Sequence, residues 1–173
     1  MNKRGAYFFV IDALIAAMVI FVSLIIIFTS HSMVPDTSSS LRMVEDYTNF
    51  LTNTKVREFQ GEYVKSLIND SNITNLDNTL IEQLTEFYYY NTTGKDNTRI
   101  MWNFTQEISK GIIPDQRSLI LYLNKTLLYN RSVSPIKNSN LVLSSKKICF
   151  IRIANNTQTF IYGPVMLDVI VWV

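Results

Sequence analysis

The feature that most constrains this chain is an unbroken apolar segment at residues 6–29. The segment reads AYFFVIDALIAAMVIFVSLIIIFT and contains a single charged residue, Asp12. As a helix it would be about 36 Å long, more than the roughly 30 Å of a bilayer's hydrocarbon core. It contains neither Pro nor Gly and is apolar on every side, so it must be buried in lipid or in other protein. The sequence therefore predicts a transmembrane helix, with the lipid membrane as a partner.

The charges that flank this segment predict its orientation. Lys3 and Arg4 precede it, whereas only His31 and Asp36 are ionisable just after it. Because basic residues are retained on the cytoplasmic side, we expect a single-pass membrane protein whose remaining residues lie outside the cell. A secretory signal peptide has an apolar stretch of only about 7–15 residues and a small-x-small cleavage site. Residues 30–32 (SHS) match such a site poorly, so conventional signal cleavage is not expected.

The residues in front of the helix form a short basic leader that ends in glycine. Lys3-Arg4-Gly5 stands directly before the aromatic and aliphatic helix, which has one acid in its first two turns. In this respect the N-terminal segment resembles type IV pilin-like proteins, in particular the archaeal ones. The resemblance implies a prepilin-type leader peptidase as a partner, with cleavage between Gly5 and Ala6. It also implies assembly with other pilin subunits into a cell-surface filament.

Asp12 has two interpretations at this point. The best-known pilin pattern has a Glu at the fifth mature position, whereas this sequence has Val10 there and Asp12 at the seventh. An isolated carboxylate in a membrane helix costs about 2.5–3.5 kcal/mol on insertion scales. Asp12 either meets the N-terminal amine of a neighbouring subunit during assembly or remains hydrated near the interface. The second interpretation is open because Asp12 lies only about 9 Å along the helix from Ala6.

The rest of the chain predicts helices first and strands afterwards. After a break at Pro35, amphipathic patterns separated by polar stretches predict four helices. They are expected at about residues 40–51, 61–69, 79–90 and 99–110. Residues 118–124 and 126–130 predict a hairpin, and residues 141–153 predict a long strand or a bent pair of strands.

The last part of the sequence predicts the closing strands of a sheet. A turn at Asn155 and Asn156 leads into a returning strand at residues 159–162, and Gly163-Pro164 is expected to break the chain. Residues 165–173 then alternate strictly between an apolar face and a mixed face, typical of a half-buried strand. The expected fold is α+β, in which a long N-terminal hydrophobic helix and further short helices precede a C-terminal antiparallel β-sheet head. The expected organisation is a leader at residues 1–5, a transmembrane or filament-core helix at residues 6–32, and an extracellular head at residues 33–173.

Asn-x-Ser/Thr sequences recur throughout the predicted head. Seven occur, more than the roughly three that the composition alone would give. The acceptor residues are Asn69, Asn72, Asn91, Asn103, Asn124, Asn130 and Asn155. Most fall in predicted loops or turns, where a glycan can be accommodated, whereas Asn103 lies inside a predicted helix. They indicate a glycoprotein, and an Asn/Thr-rich composition with incidental matches is the alternative.

The chemistry of common active sites is missing from the sequence. One histidine, His31, and one cysteine, Cys149, exclude a multi-histidine metal site, a Cys-x-x-Cys pair and an internal disulfide. No glycine-rich phosphate loop occurs, and no basic stripe suggests a nucleic-acid partner. The acids Glu82, Glu86, Glu107 and Asp168 are expected on solvated faces, and Cys149 in an apolar interior. We therefore expect neither an enzyme nor a cofactor or metal.

Two functional hypotheses remain. The first is a pilin-like structural subunit of a type IV surface filament, with a minor pilin as one form of it. The second is a signal-anchored, glycosylated extracellular binding or adhesion module that does not assemble. An exposed patch of Tyr88, Tyr89, Tyr90 and Trp172 would support the second hypothesis, because such residues favour interfaces. Packing of these residues against the sheet is the alternative to that patch.

Overall fold

The computed structural model describes residues 3–32, 37–154 and 159–172. The chain divides into two compact units, residues 1–36 and residues 37–173, and each is described by itself. The predicted break at Pro35 and the predicted turn at Asn155 and Asn156 lie outside the described residues, as does Val173.

The first unit contains one helix, α1 (Lys3–Ser32), of 30 residues. At about 1.5 Å per residue this helix is roughly 45 Å long. The Ser23 hydroxyl donates a hydrogen bond of 2.7 Å to the carbonyl of Val19 one turn earlier. Since that bond satisfies the hydroxyl within the helix, Ser23 needs no polar partner elsewhere.

The second unit begins with four helices, and each predicted helix is present. Their bounds are α2 (Thr37–Asn53), α3 (Glu62–Asn69), α4 (Leu80–Thr92) and α5 (Thr98–Ser109). A capping box fixes the start of α4: the Thr79 backbone N–H donates to Glu82 Oε2 at 2.7 Å, and the Glu82 N–H donates to Thr79 Oγ1 at 3.3 Å. These two bonds satisfy donors that the first turn of a helix otherwise leaves unpaired.

Four antiparallel strands follow the helices. They are β1 (Ser118–Leu123), β2 (Thr126–Arg131), β3 (Val142–Ala154) and β4 (Thr159–Trp172). Their order in the sheet is β2-β1-β4-β3. The predicted hairpin is confirmed, because β1 and β2 are joined by Asn124 and Lys125 with φ values of 46° and 70°. Two consecutive positive φ values suit a two-residue turn whose twist matches that of the strands. The predicted α+β fold is therefore confirmed.

The predicted break at Gly163-Pro164 is wrong, because β4 continues through both residues. The register between β3 and β4 shifts here, so that Gly163 and Pro164 together oppose the single residue Phe150. Two residues against one form a β-bulge. A bulge tolerates proline, which has no N–H to give to the ladder, so the strand bends without ending.

The core lies between one face of the sheet and the helices that pack on it. Its largest wholly buried side chains are Tyr47, Phe87, Phe104, Leu51, Leu80, Leu84, Ile108, Ile113, Leu119, Leu121, Leu123 and Leu167. The predicted apolar face of the last strand is confirmed at its described positions, because Val165, Leu167, Val169 and Val171 are all buried. Burial at every second residue is what a strand with one covered face requires.

Candidate functional site

Among the described residues, one helix is long and apolar enough to cross a membrane. It is the Ile11–Phe28 part of α1, 18 residues with a mean hydropathy of 2.9. The side chains of this part are exposed. This length and composition fit a membrane anchor and also fit a signal sequence.

The residues of the predicted leader lie in the first turn and a half of α1. Lys3, Arg4, Gly5 and Ala6 are all helical, and the helix continues from them without interruption. The structure thus places the predicted cleavage position inside a regular helix.

Asp12 lies in the third turn of α1, and its side chain is exposed. Its immediate neighbours in sequence, Ile11 and Ala13, are apolar and exposed as well. The carboxylate of Asp12 is therefore the one charged group in the apolar Ile11–Phe28 part of α1. Such a position is unfavourable in lipid unless the carboxylate finds a counter-charge or water.

The predicted glycan acceptors differ in their surroundings. Exposed acceptors are Asn69 at the end of α3, Asn124 in the β1–β2 turn and Asn130 in β2. Asn72 and Asn91 are half-buried. Asn155 lies outside the described residues.

Asn103 has the least favourable setting for a glycan. It lies inside α5, as predicted, and the structure shows that it is half-buried. The hydroxyl-bearing residue of its sequence, Thr105, is wholly buried in the core. A glycan transferase that acts on the folded head would therefore not reach this sequence.

The aromatic residues singled out from the sequence do not form an exposed patch. Tyr88, Tyr89 and Tyr90 are half-buried, and the ring of Tyr89 lies 4.9 Å from that of Tyr162 on β4. Trp172 is buried, and its Nε1–H donates to the carbonyl of Ser134 at 2.8 Å. Tyr89 and Trp172 thus pack within the head.

The expectation that four acids lie on solvated faces is wrong. Glu82 is half-buried as part of the α4 capping box, and the Glu107 side chain is only 17% exposed. Asp168 lies 3.4 Å from Lys146 Nζ and is 19% exposed. Glu86 is half-buried, and desolvation by burial raises its pKa although the amides of Gln83 and Asn78 oppose this shift. Helix and strand periodicity identifies these residues as polar, but it does not reveal how far their neighbours in the fold cover them.

Cys149 is buried, as predicted. Its Sγ atom lies 3.2 Å from the carbonyl oxygen of Val165 and 3.3 Å from the hydroxyl of Thr85. Burial raises the pKa of its thiol, which disfavours the reactive thiolate. Within the described ranges, no group of three or more His, Cys, Asp or Glu residues is arranged to hold a metal ion.

Sequence reasoning missed a concave site on the head, which we name the polar cleft. It has a volume of about 260 Å³, and its lining includes Asn72, Thr74, Glu86, Tyr90, Lys95 and Asn97. These residues come from the loop after α3, from α4 and from the segment before α5. Because they are spread over 26 positions of sequence and form no motif, only the fold brings them together.

A second surface that the sequence did not indicate lies near the β-bulge. Ile148, Phe150 and Ile161 are 67%, 53% and 71% exposed, respectively. Ile148 and Phe150 belong to β3 and Ile161 to β4, the strand that pairs with it. In the register of these strands Ile148 opposes Met166 and Ile161 opposes Arg152, with Phe150 between them along β3. Exposed apolar side chains grouped on paired strands are typical of interaction surfaces. We name these three residues the bulge patch.

Comparisons with known proteins give no relative for this chain. No protein-family model, no curated protein and no solved structure matches it.

Proposed function

We propose that this protein is a pilin-like structural subunit of a type IV cell-surface filament. The observation that carries the proposal is the pairing of Lys3-Arg4-Gly5 with the long apolar helix α1, followed by a separate α+β unit. In this proposal α1 holds the precursor in the membrane, with Lys3 and Arg4 on the cytoplasmic side and the head outside the cell.

Assembly in this proposal follows from the composition of α1. Lipid tails are about as apolar as a neighbouring helix, so helices leave lipid when close packing gives them better contacts. Small side chains at Ala13, Ala16 and Ala17 allow such an approach. Asp12 would then pair with the N-terminal amine that cleavage creates at Ala6 of a neighbouring subunit.

The bulge patch gives the heads a means to contact one another or another molecule. Its three exposed apolar side chains would lose their contact with water when a neighbouring surface covers them. The same patch also favours the second candidate, a signal-anchored extracellular module that uses the patch to bind a target without assembling. The two candidates share the membrane helix and differ in leader cleavage and in assembly.

The decisive experiment is to determine the mature N-terminus. The full chain, carrying a C-terminal tag, is purified from membranes of its native host and examined by intact-mass and N-terminal peptide mass spectrometry. We expect the mature protein to begin at Ala6. Gly5→Leu should block processing, whereas Lys3→Arg, which keeps the basic charge of the leader, should be processed normally.

Electron microscopy of purified surface filaments, with mass spectrometry of their subunits, completes the test. A start at Ala6 and recovery of the chain from filaments would support the pilin-like subunit. A retained leader, together with absence of the chain from every filament preparation, would reject it in favour of the tethered module.

A further inference from the structure

The polar groups that line the polar cleft come from three separate parts of the head. Asn72 and Thr74 lie in the loop after α3, Glu86 and Tyr90 belong to α4, and Lys95 precedes α5. The cleft is slightly smaller than the roughly 300–1,000 Å³ of drug-sized ligand sites, so it suits one small ring. Its occupant must match this mixture of polar groups.

The hydrogen-bonding groups of the cleft complement hydroxyl groups. The Lys95 ammonium only donates, the side-chain amide of Asn72 both donates and accepts, and the hydroxyl of Thr74 does likewise. A hydroxyl group is both a donor and an acceptor, so it can pair with each of these in turn. A ligand that carries several hydroxyls around one ring could therefore form hydrogen bonds with several sides of the cleft at once.

The charges of the cleft favour a neutral ligand. Among the described residues, its lining contains one acid, Glu86, and one base, Lys95, so these residues give the site no net excess of either sign. Glu86 Oε2 already accepts a hydrogen bond of 3.0 Å from Asn78 Nδ2. Burial also raises the pKa of Glu86, which weakens it as a receptor for a cation. An amine or an amino-acid zwitterion would therefore gain little from this carboxyl group.

The apolar part of the lining comes from Tyr90, Phe87 and Ile100. Lys95 Nζ lies over the Tyr90 ring, 5.9 Å from its centroid, so a polar donor and an aromatic ring stand together at one wall of the cleft. A sugar ring has the same two-sided character, with C–H groups on its faces and hydroxyls at its edges. The Tyr90 ring suits the former, and the Lys95 ammonium suits the latter.

Asn97 lines the cleft and has a buried acceptor without a partner among the described residues. It lines the cleft although it is only 2% exposed. Its Nδ2 donates to the carbonyl of Phe87 at 3.4 Å, and its backbone N–H donates to Asn91 Oδ1 at 2.9 Å. Its own Oδ1 atom has no hydrogen-bond partner within the part of the chain that the structure describes. A buried acceptor left unpaired is costly, so Asn97 adds an unmet hydrogen-bonding demand beside the cleft.

We propose that the polar cleft binds one neutral sugar ring. The sugar can come from a glycan on the chain's own Asn72, whose side chain lines the cleft, or from a glycan on another molecule. This binding goes beyond filament assembly and does not depend on it, because every residue that carries it belongs to the head.

The test is saturation-transfer NMR on the full chain in phosphatidylcholine nanodiscs, which avoid detergents with sugar headgroups. The probes are the methyl glycosides of glucose, galactose, mannose and N-acetylglucosamine, with serine as a zwitterionic comparison. Unglycosylated protein from a bacterial host should bind at least one glycoside with a millimolar Kd and should not bind serine. Lys95→Met should weaken binding by about tenfold, which is the effect of losing one charged hydrogen bond.

The matched control is Lys125→Met, which changes an exposed lysine in the β1–β2 turn and should leave binding unchanged. Tyr90→Leu gives a second test of the cleft, and thermal unfolding checks that each variant is folded. Transfer from no glycoside, equal transfer from serine, or wild-type binding by both folded cleft variants would overturn the proposal.

Protein from the native host then distinguishes the two sources of the sugar. If the unglycosylated chain binds the glycosides, the native-host chain does not, and glycopeptide mass spectrometry finds a glycan on Asn72, the cleft holds the chain's own glycan. If the glycosylated chain binds them, the cleft takes a glycan from another molecule. Both outcomes support a sugar site.

Discussion

The hydroxyl oxygen of Tyr47 lies 2.7 Å from Ser109 Oγ and joins α2 to α5 inside the core. Both residues are almost wholly buried. Ser109 Oγ donates its only proton to the carbonyl of Thr105 at 2.6 Å, so the Tyr47 hydroxyl is the donor in the pair. Desolvation raises the pKa of Tyr47 well above its ordinary value, so the tyrosine stays protonated at physiological pH.

This pair should behave as an energetic unit. Tyr47→Phe keeps the ring and removes one hydrogen bond, and should cost about 0.5–1.5 kcal/mol of unfolding free energy. Ser109→Ala leaves the tyrosine hydroxyl buried without its partner and should cost about 1–3 kcal/mol. The double variant should lose less than the sum of the two, as urea unfolding of the full chain in detergent micelles can measure. Additive losses would mean that the two hydroxyls are not coupled.

The bulge in β4 should make Gly163 intolerant of a side chain. Its φ is +139°, and a Cβ there would lie 2.8 Å from Phe150 Cδ1 and 2.9 Å from the Cys149 carbonyl oxygen. Because an unfavourable φ and a steric clash combine, Gly163→Ala should cost about 2–5 kcal/mol. Thermal and urea unfolding of the full chain in micelles measure the loss.

Gly111 provides the matched control. Its φ is +77°, but a Cβ there would meet no atom of the described residues within 4 Å. Gly111→Ala should therefore show only the backbone penalty of about 1–2 kcal/mol. Equal losses at the two glycines would show that the close approach at the bulge has no energetic effect.

Regular patterns in the sequence account for most of the fold. Strict alternation identified the buried face of β4, and two apolar runs on either side of Lys125 identified the β1–β2 hairpin, although the turn also takes in Asn124. Both signals are local, because side-chain period and turn chemistry depend on neighbouring residues. The break expected at Gly163-Pro164 was wrong for the same reason: the register with β3, a distant segment, decides whether a proline ends a strand or lies in a bulge.

The candidate sites also differ in whether local sequence patterns reveal them. The apolar helix around Asp12 is visible in sequence, since hydrophobic length needs no tertiary context. The polar cleft is not visible, because Asn72, Glu86 and Asn97 become neighbours only after α4 has folded against the loops on either side. The burial of Glu86 likewise depends on the loop that contains Asn78, which helical periodicity alone does not reveal.

Glu86 should make the head less stable as the pH rises. Burial raises its folded-state pKa above the ordinary value of 4.5, so the folded state binds the proton more tightly than the unfolded state does. Its contribution to stability is therefore fully present below about pH 4.5 and is lost as the pH rises through the folded-state pKa. Glu86→Gln, which cannot ionise, should be more stable than the wild type at pH 7 and similar to it at pH 4.

Urea midpoints of the full chain, measured between pH 4 and pH 8 in micelles, check this expectation. The difference between Glu86→Gln and the wild type should grow with pH within that window. A difference that stays constant, or a variant that is less stable at pH 7, would contradict the argument from burial.

Glycan occupancy should follow the exposure of the acceptor sequences. Asn69 and Asn130 are exposed, so glycopeptides that contain them should be found in protein from the native host. Asn103 should remain unmodified, because it lies within α5 and its Thr105 is buried. Intact-mass measurement should show that Asn69→Gln removes one glycan mass, whereas Asn103→Gln changes only the mass of the side chain. A glycan on Asn103 of the folded protein would refute the relation to exposure.

Asp12 should govern assembly more than membrane insertion. Its exposed carboxylate is the one charge in residues 11–28, and in the proposed filament it pairs with the amine of a neighbouring Ala6. Asp12→Asn keeps the size and removes the charge, and should lower recovery in filaments by about tenfold or more, which corresponds to about 1.4 kcal/mol. Asp12→Glu should retain most of the incorporation.

Ser23→Ala is the matched control, because the Ser23 hydroxyl bonds within its own helix to Val19 and offers a neighbour little. Quantitative mass spectrometry of filament and membrane fractions measures both steps. If Asp12→Asn is incorporated like the wild type at equal membrane levels, the carboxylate is a hydrated interfacial group and has no part in assembly.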